Sequence, residues 1–168
     1  MELTLGIISD EETWRLLHAV LVRLSSASRL KMAVRKVLFE LHDSAMPLYI
    51  VGIGPRVEEY GVRPKSVDMI FIFLDRVDQE VFDELKFVIK RNGRLMVVDD
   101  VTDEESLEIG ESGMRERKLL LVAQIIHMLS KYLSISKKFV VKILKSINME
   151  NINELIERYY LVSRSERI

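Results

Sequence analysis

The chain has 168 residues, 48% of them hydrophobic and 30% charged, which suits one compact domain rather than two. Lys and Arg number 25 against 26 Asp and Glu, and this net charge of −1 gives no global field that would attract nucleic acid or an anionic membrane. The absence of cysteine excludes disulfides, thiolate nucleophiles and cysteine-ligated zinc or iron–sulfur sites in this chain. The start MELTLGIISDEE lacks a cationic leader, and no apolar run reaches the ~20 residues that span a bilayer, so we expect a cytoplasmic protein without membrane contact.

The amino-terminal part is typical of a strand followed by a long helical region. Leu3–Ile8 is a short apolar run, and Ser9 with Glu12 has the spacing of a helix capping box. Apolar residues then recur every three or four positions, first up to Leu24 and again from Leu30 to Leu41. The serines of residues 25–28 favour a break between two helical halves, because their hydroxyls compete for backbone hydrogen bonds.

The middle of the chain alternates strands with helices. Met46–Ile53 and Asp68–Leu74 are predicted strands, and the second is apolar almost throughout, as in a strand buried on both faces. Asp78–Arg91 is a predicted amphipathic helix that ends at Asn92-Gly93, and Leu95–Val98 is the next strand. We therefore predict an α/β fold, a three-layer Rossmann-like parallel sheet.

The carboxy-terminal part is predicted to be all helical. We expect a Rossmann-like core over residues 1–105 and a helical extension over residues 106–168, packed on the core to form a single domain. Ser136 and Asn151 have the residue types that cap helices. Residues 114–133 are apolar around most of the helix, which predicts burial on more than one side. This helix is our candidate interface for a homo-oligomer or for partner subunits, through Leu119, Val122, Ile126, Leu129 and Leu133.

Two groups of residues are candidates for ligand binding. Gly52, Gly54 and Arg56 follow a strand, where glycines let an anion approach the backbone, although the third glycine of a dinucleotide fingerprint is missing. A strand-ending turn and a ligand loop both remain open for them. The second group lies at the predicted carboxyl ends of strands, where open parallel sheets bind ligands, or else serves as helix caps: Ser9, Asp10, Asp75, Asp99 and Asp100.

Other chemistry is poorly supported. The three histidines are far apart in sequence and have no metal-ligating spacing, so no metal site is expected. Two basic stretches, residues 15–36 and 137–145, lack the interleaved aromatic residues that stack bases, so nucleic acid is an unlikely partner. We interpret the second stretch as a solvated face matched by Glu150, Glu154 and Glu157.

Residues 67–100, VDMIFIFLDRVDQEVFDELKFVIKRNGRLMVVDD, resemble part of the gamma domain of 2-oxoacid:ferredoxin oxidoreductases, notably the indolepyruvate type. There an apolar strand, a helix and a glycine turn precede another strand. Residues 46–67 match the preceding strand and loop, and residues 119–162 are similar to that domain's final helices. The resemblance implies a Rossmann-like subunit whose thiamine diphosphate and iron–sulfur clusters lie on other domains.

The chain departs from that family at the turn after the first strand. The family has a glycine-rich turn there, whereas this chain has Ile8-Ser9-Asp10-Glu11-Glu12, and the family's R-G-G segment is replaced by Arg35-Lys36-Val37. The cofactor is therefore unknown. A rival resemblance is to the second half of a class I methyltransferase. We thus carry three hypotheses: an accessory subunit, a stand-alone enzyme that binds a nucleotide or S-adenosylmethionine, and a homo-oligomer without catalytic activity.

Overall fold

The computed structural model describes residues 2–41, 44–57, 67–74, 79–86, 89–97 and 111–165. It confirms the α/β class and the helical carboxy-terminal part. Five strands are described, namely β1 (Leu3–Ile8), β2 (Lys31–Leu41), β3 (Ser44–Gly54), β4 (Val67–Ile72) and β5 (Ile89–Val97). Five helices accompany them, namely α1 (Glu11–Ala27), α2 (Gln79–Leu85), α3 (Glu111–Tyr132), α4 (Lys137–Lys145) and α5 (Ile152–Ser165).

The five strands form one sheet in the order β2-β3-β1-β4-β5. β1 pairs in parallel with β4, and β4 pairs in parallel with β5. β3, however, is antiparallel to both β1 and β2. The prediction of a parallel sheet is therefore wrong for half of the sheet, because β2 and β3 form a hairpin where the sequence pattern favoured a crossover helix.

β2 replaces the second helical half that the apolar spacing predicted. Its residues pair with β3 from Lys31↔Gly54 to Leu41↔Ser44 without a shift in register. The segment KMAVRKVLFEL is rich in helix formers, and its apolar residues suit a helical period as well as a strand. Pairing along the whole of β3 satisfies the backbone of β2, and this tertiary contact overrides local propensity.

The predicted helix Asp78–Arg91 is also shorter in the structure. α2 ends at Leu85, and Ile89 is already paired with Val67 of β4. The register of β4 and β5 shifts between the pairs Val67↔Ile89 and Met69↔Arg94, so five steps along β5 oppose two along β4. Asn92-Gly93 falls within this irregular stretch. Asn and Gly favour turns, so they are better suited to a bulge in β5 than to regular strand pairing.

The chain divides into two compact units. The sheet unit comprises Met1–Glu11 and Arg29–Asp103, and the helical unit comprises Glu12–Ser28 and Glu104–Ile168. α1 thus groups with the carboxy-terminal helices. The predicted boundary near residue 105, and the packing of the helical extension on the core, stay predictions.

One face of the sheet carries a compact apolar core. Ile8 and Ile50 contribute from neighbouring strands, Ile70 and Ile72 come from β4, and Val81 and Leu85 of α2 pack on the same cluster. Gly6 lies in the middle of this face, since a Cβ atom built on it would be 3.0 Å from Cγ1 of Ile70. At the start of β4, the carboxylate of Asp68 accepts a hydrogen bond of 2.9 Å from the Thr4 amide.

In the helical unit, the ends of the helices follow local hydrogen-bonding rules. α3 packs on α5, and α4 also packs on α5. α3 ends in a Schellman motif, in which Ile135 donates to the Ser130 carbonyl and Ser134 to the Lys131 carbonyl, with Ser134 in the left-handed region at φ 57. Ser136 caps α4 as predicted, because its hydroxyl accepts a hydrogen bond from the Phe139 amide. Within the described helices, none has the length and apolar content that crossing a membrane requires.

The end of α1 confirms the predicted break at the serine-rich segment. The helix stops at Ala27, and the Ser28 amide bonds to the carbonyls of Leu24 and Ser25. Arg29 follows with φ 58, the left-handed position that glycine often takes after a helix. No glycine marks this position, so sequence patterns do not predict the reversal into β2.

Candidate functional site

Ser9 follows β1 at the carboxyl edge of the parallel strands, where we predicted a ligand site. The Ser9 side chain is buried, and its hydroxyl donates a hydrogen bond of 3.0 Å to the Asp10 carbonyl. Next to it, the Phe73 amide donates to the Ile8 carbonyl at 2.8 Å and prolongs the pairing of β1 with β4. The Ser9 hydroxyl is thus engaged by a neighbouring backbone carbonyl, and α1 begins two residues after Ser9 at Glu11.

This turn is acidic where dinucleotide-binding folds have glycines. Asp10, Glu11 and Glu12 are exposed, and they stand together where the backbone leaves β1. A helix amino terminus carries roughly half a positive charge, and the exposed carboxylates beside it reduce its attraction for an anion. The turn is therefore less suited to a phosphate group than a glycine-rich turn.

The first group of candidates lies at the opposite end of the strands from Ser9, and it consists of Gly52, Gly54 and Arg56. β3 is antiparallel to β1, so that Ile53 pairs with Leu3 at the beginning of β1. The six residues of β1 separate these residues from Ser9, a distance of roughly 20 Å at 3.3 Å per residue. Gly52 is an interior residue of β3, paired with Thr4 on one side and Ala33 on the other. The two groups of candidate residues therefore do not form one site.

Three further candidates, Asp75, Asp99 and Asp100, lie outside the described residues. Arg56 lies in an exposed turn directly after β3. Among the residues that the structure describes, no three His, Asp or Glu side chains are grouped so that they could hold a metal ion.

Most of the predicted interface residues of α3 are buried within the chain itself. Leu119, Val122, Ile126 and Leu129 are at most 4% exposed, and α3 packs on α5 within the same unit. Because these four side chains are already buried in a single chain, they leave no apolar surface for a second subunit. Leu133 is half-buried. An interface through α3 stays a prediction, and it would have to use exposed side chains of the helix, of which Leu120 and Tyr132 are the large apolar ones.

Charged side chains join α3 to α5 at the surface. A terminal nitrogen of Arg115 donates to Glu154 at 3.0 Å and also to the amide oxygen of Asn151. Arg158 lies 3.8 Å from the carboxylate of Glu116. Glu154 therefore neutralises Arg115, not the lysines of α4, which contradicts our interpretation of that glutamate.

α4 carries a basic surface. Lys138, Lys142 and Lys145 are exposed and make no ion pair within 4.0 Å among the described residues, while Lys137 lies over the Tyr160 ring at 5.2 Å from its centroid. Phe139, an apolar residue of the same helix, is 44% exposed. Sequence reasoning missed this combination, because a pattern of apolar and basic residues does not show which apolar residue faces outward.

Two other features of the helical unit have no chemistry that points to catalysis. Among the described residues, a shallow depression of about 400 Å³ is lined by side chains of α5, namely Glu157, Arg158, Tyr160, Leu161 and Arg164. Tyr159 is buried, which raises the pKa of its phenol, and its ring lies 6.3 Å from that of His127 and 6.4 Å from that of Tyr160. Buried rings in such contacts are ordinary core packing.

Comparison with known proteins identifies similar folds. No family model matches the chain, and no curated protein matches it. Its structure is similar to the 2-oxoglutarate:ferredoxin oxidoreductase from Magnetococcus marinus with 2-oxoglutarate, coenzyme A and succinyl-CoA bound, with a TM-score of 0.57 and 14% identity. That match covers 98% of this chain and 31% of the other, so this chain spans under a third of that protein's length.

A second similar structure is the gamma subunit of keto/oxoacid ferredoxin oxidoreductase from Geobacter sulfurreducens PCA. The TM-score is 0.50 and the identity 12%, and the match covers 95% of this chain and 91% of the gamma subunit. At such low identity these matches show a shared fold. The resemblance to 2-oxoacid:ferredoxin oxidoreductases that the sequence indicated is confirmed to that extent.

Proposed function

We propose that this chain is an accessory, non-catalytic component of a cytoplasmic multi-subunit oxidoreductase, in a role similar to that of a gamma subunit, and that it acts through contacts with partner subunits. The observation that carries the proposal is the match along almost the whole of both chains to a separate gamma subunit, 95% of this chain and 91% of the other. A fold alone does not imply a function, so the residues of the chain must also fit the role.

The turn after β1 supports a scaffold without a ligand site. Ser9 is buried, and Asp10, Glu11 and Glu12 give the turn a negative charge that disfavours phosphates. This charge also counts against a stand-alone enzyme that binds nucleotides there. Because the chain has no cysteine, any cysteine-ligated iron–sulfur cluster of such an assembly must reside on another chain.

The proposal is tested by purifying the tagged full-length chain from its native organism and identifying the chains that co-elute by mass spectrometry. Co-elution with thiamine-dependent subunits of a 2-oxoacid:ferredoxin oxidoreductase, at a constant ratio through a second column, supports the proposal. Elution as a homo-oligomer or a monomer with no partner, together with a thermal shift on adding S-adenosylmethionine or a nucleotide, overturns it in favour of an independent enzyme.

A further inference from the structure

Four side chains of α4 are exposed, and we call them the α4 surface below: Lys138, Phe139, Lys142 and Lys145. The three lysines stand at positions i, i+4 and i+7 and therefore share one face of the helix. Phe139 precedes Lys142 by three positions, which places it at the border of that face. The result is a row of positive charges beside one exposed aromatic ring.

This arrangement is unfavourable for the helix itself. The first turn of α4 contains no acidic residue, and it carries Lys137 and Lys138 at the positive end of the helix. Lys138 and Lys142 repel one another at i,i+4 spacing, which costs a few tenths of a kcal/mol. Only Lys137 is compensated, by the Tyr160 ring. Within the described part of the chain, no carboxylate lies within ion-pair distance of the other three lysines.

The opposite face of α4 is already occupied. Val140, Ile143 and Leu144 are buried in the chain, so the helix has no apolar face left to insert into lipid. Single-stranded nucleic acid is held by several stacked aromatic residues along a basic groove, whereas this surface has one ring. A protein interface, in contrast, commonly has an aromatic anchor surrounded by charged residues that meet the opposite charge on a partner.

We propose that the α4 surface is a docking site for an acidic protein segment, whose carboxylates pair with Lys138, Lys142 and Lys145 and whose apolar side chain covers Phe139. Charge complementarity indicates the kind of partner, since three exposed lysines on one helix face, with no carboxylate in ion-pair distance among the described residues, attract a segment rich in carboxylates. This inference goes beyond the proposed function, because it specifies the chemistry of the partner whether or not that partner is an oxidoreductase subunit.

The test uses the full chain and a short fluorescent peptide of glutamates that flank a pair of central leucines, with binding followed by anisotropy. We expect binding that weakens as salt rises and that falls about tenfold or more in the variant Lys138→Glu/Lys142→Glu/Lys145→Glu. The matched control, Lys31→Glu/Lys36→Glu/Lys86→Glu, has the same net charge and should retain most of the binding. Phe139→Ser should weaken binding of this peptide more than binding of polyglutamate without leucines.

Three results overturn the inference. The first is no binding of the glutamate–leucine peptide at low salt, and the second is an equal loss of affinity in both triple variants. The third is tighter binding to a single-stranded oligonucleotide or to phosphatidylglycerol vesicles than to the peptide. If circular dichroism shows that the charge-reversed variant does not fold, the neutral variant Lys138→Gln/Lys142→Gln/Lys145→Gln replaces it, with the same comparison to its control at residues 31, 36 and 86.

Discussion

Ile8, the last residue of β1, pairs with Leu48, which lies near the beginning of β3. Because β3 is antiparallel to β1, the glycines at the end of β3 lie at the opposite end of the strands from Ser9 and the acidic turn. Among the residues that the structure describes, glycines and a helix amino terminus are therefore not brought together at the end of β1 as a phosphate site would require.

It follows that S-adenosylmethionine and ATP, tested without divalent cations, should leave the melting temperature of the chain unchanged. Binding to the folded state would raise this temperature with the logarithm of ligand concentration once that concentration exceeds the dissociation constant. The measurement is differential scanning fluorimetry at increasing ligand concentration. A rise that continues with the logarithm of ligand concentration would contradict the account of the acidic turn, and Glu11→Gln/Glu12→Gln would then show whether the ligand sits there.

Gly6→Ala should destabilise the sheet unit by about 1–3 kcal/mol, because the new methyl group would stand 3.0 Å from Cγ1 of Ile70 in a filled core. The free energy of unfolding is measured by urea denaturation. In the Ile70→Ala background, which removes Cγ1, the same substitution should cost clearly less. An equal cost in both backgrounds would show that the contact is not the cause.

The free energy of unfolding of the Ser25→Ala variant should be about 1 kcal/mol higher than that of the Ser130→Ala variant. Both serines are buried in helices, and both substitutions gain the same helix propensity. The Ser25 hydroxyl has no hydrogen-bond partner among the described residues, whereas that of Ser130 donates to the Ile126 carbonyl at 2.6 Å. A greater loss at residue 25 than at residue 130 would refute this assignment.

The contact between α3 and α5 should depend on apolar packing more than on the surface ion pair. Arg115 and Glu154 are both about half exposed, so Arg115→Met is expected to cost less than about 1 kcal/mol, and the cost should shrink at high salt. Leu155→Ala, at a fully buried position, should cost about 2–5 kcal/mol. Chemical denaturation of the two variants in low and high salt makes the comparison, and a reversed order would disprove it.

Because Tyr159 is buried, we predict that the folded chain loses stability at alkaline pH. Burial, with a smaller effect of Tyr160, raises the pKa of this phenol above the usual value of 10.0, so the folded state holds the proton more tightly than the unfolded state. The stability that the folded state gains from this raised pKa is complete below about pH 10, and it is lost as the pH rises through the pKa of Tyr159 in the folded state. Tyr159→Phe should therefore flatten the decline in unfolding free energy above about pH 10.

The control for this experiment is Tyr132→Phe, which removes a hydroxyl from an exposed tyrosine. It should leave the alkaline decline as it is in the unmodified chain. Equal flattening by both substitutions would mean that burial of Tyr159 is not responsible.

Much of the fold was predictable because its signals are local. The strands β1, β3 and β4 follow from apolar runs, and the Ser136 cap follows from residue type and position. β2 was missed because Val34, Val37 and Leu38 suit a helical period, and Leu38 is 64% exposed on the strand. Its strand conformation depends on pairing with β3, which no local pattern encodes.

The candidate site was less predictable than the fold. Strand ends can be located in a sequence, but the edge at which each end lies depends on register and direction. One antiparallel pairing separates Gly54 from Ser9. The outward position of Phe139 likewise depends on how α4 packs on α5, so the α4 surface emerged only from the structure.

The proposed accessory role depends on contacts with partner subunits. Native mass spectrometry measures these contacts directly, when the chain is co-expressed with the catalytic chains of its organism's 2-oxoacid:ferredoxin oxidoreductase. The account predicts a complex of defined mass that contains this chain at a fixed stoichiometry and persists through purification. A spectrum with only the free chain or its homo-oligomer, beside an intact oxidoreductase that lacks it, would contradict the account.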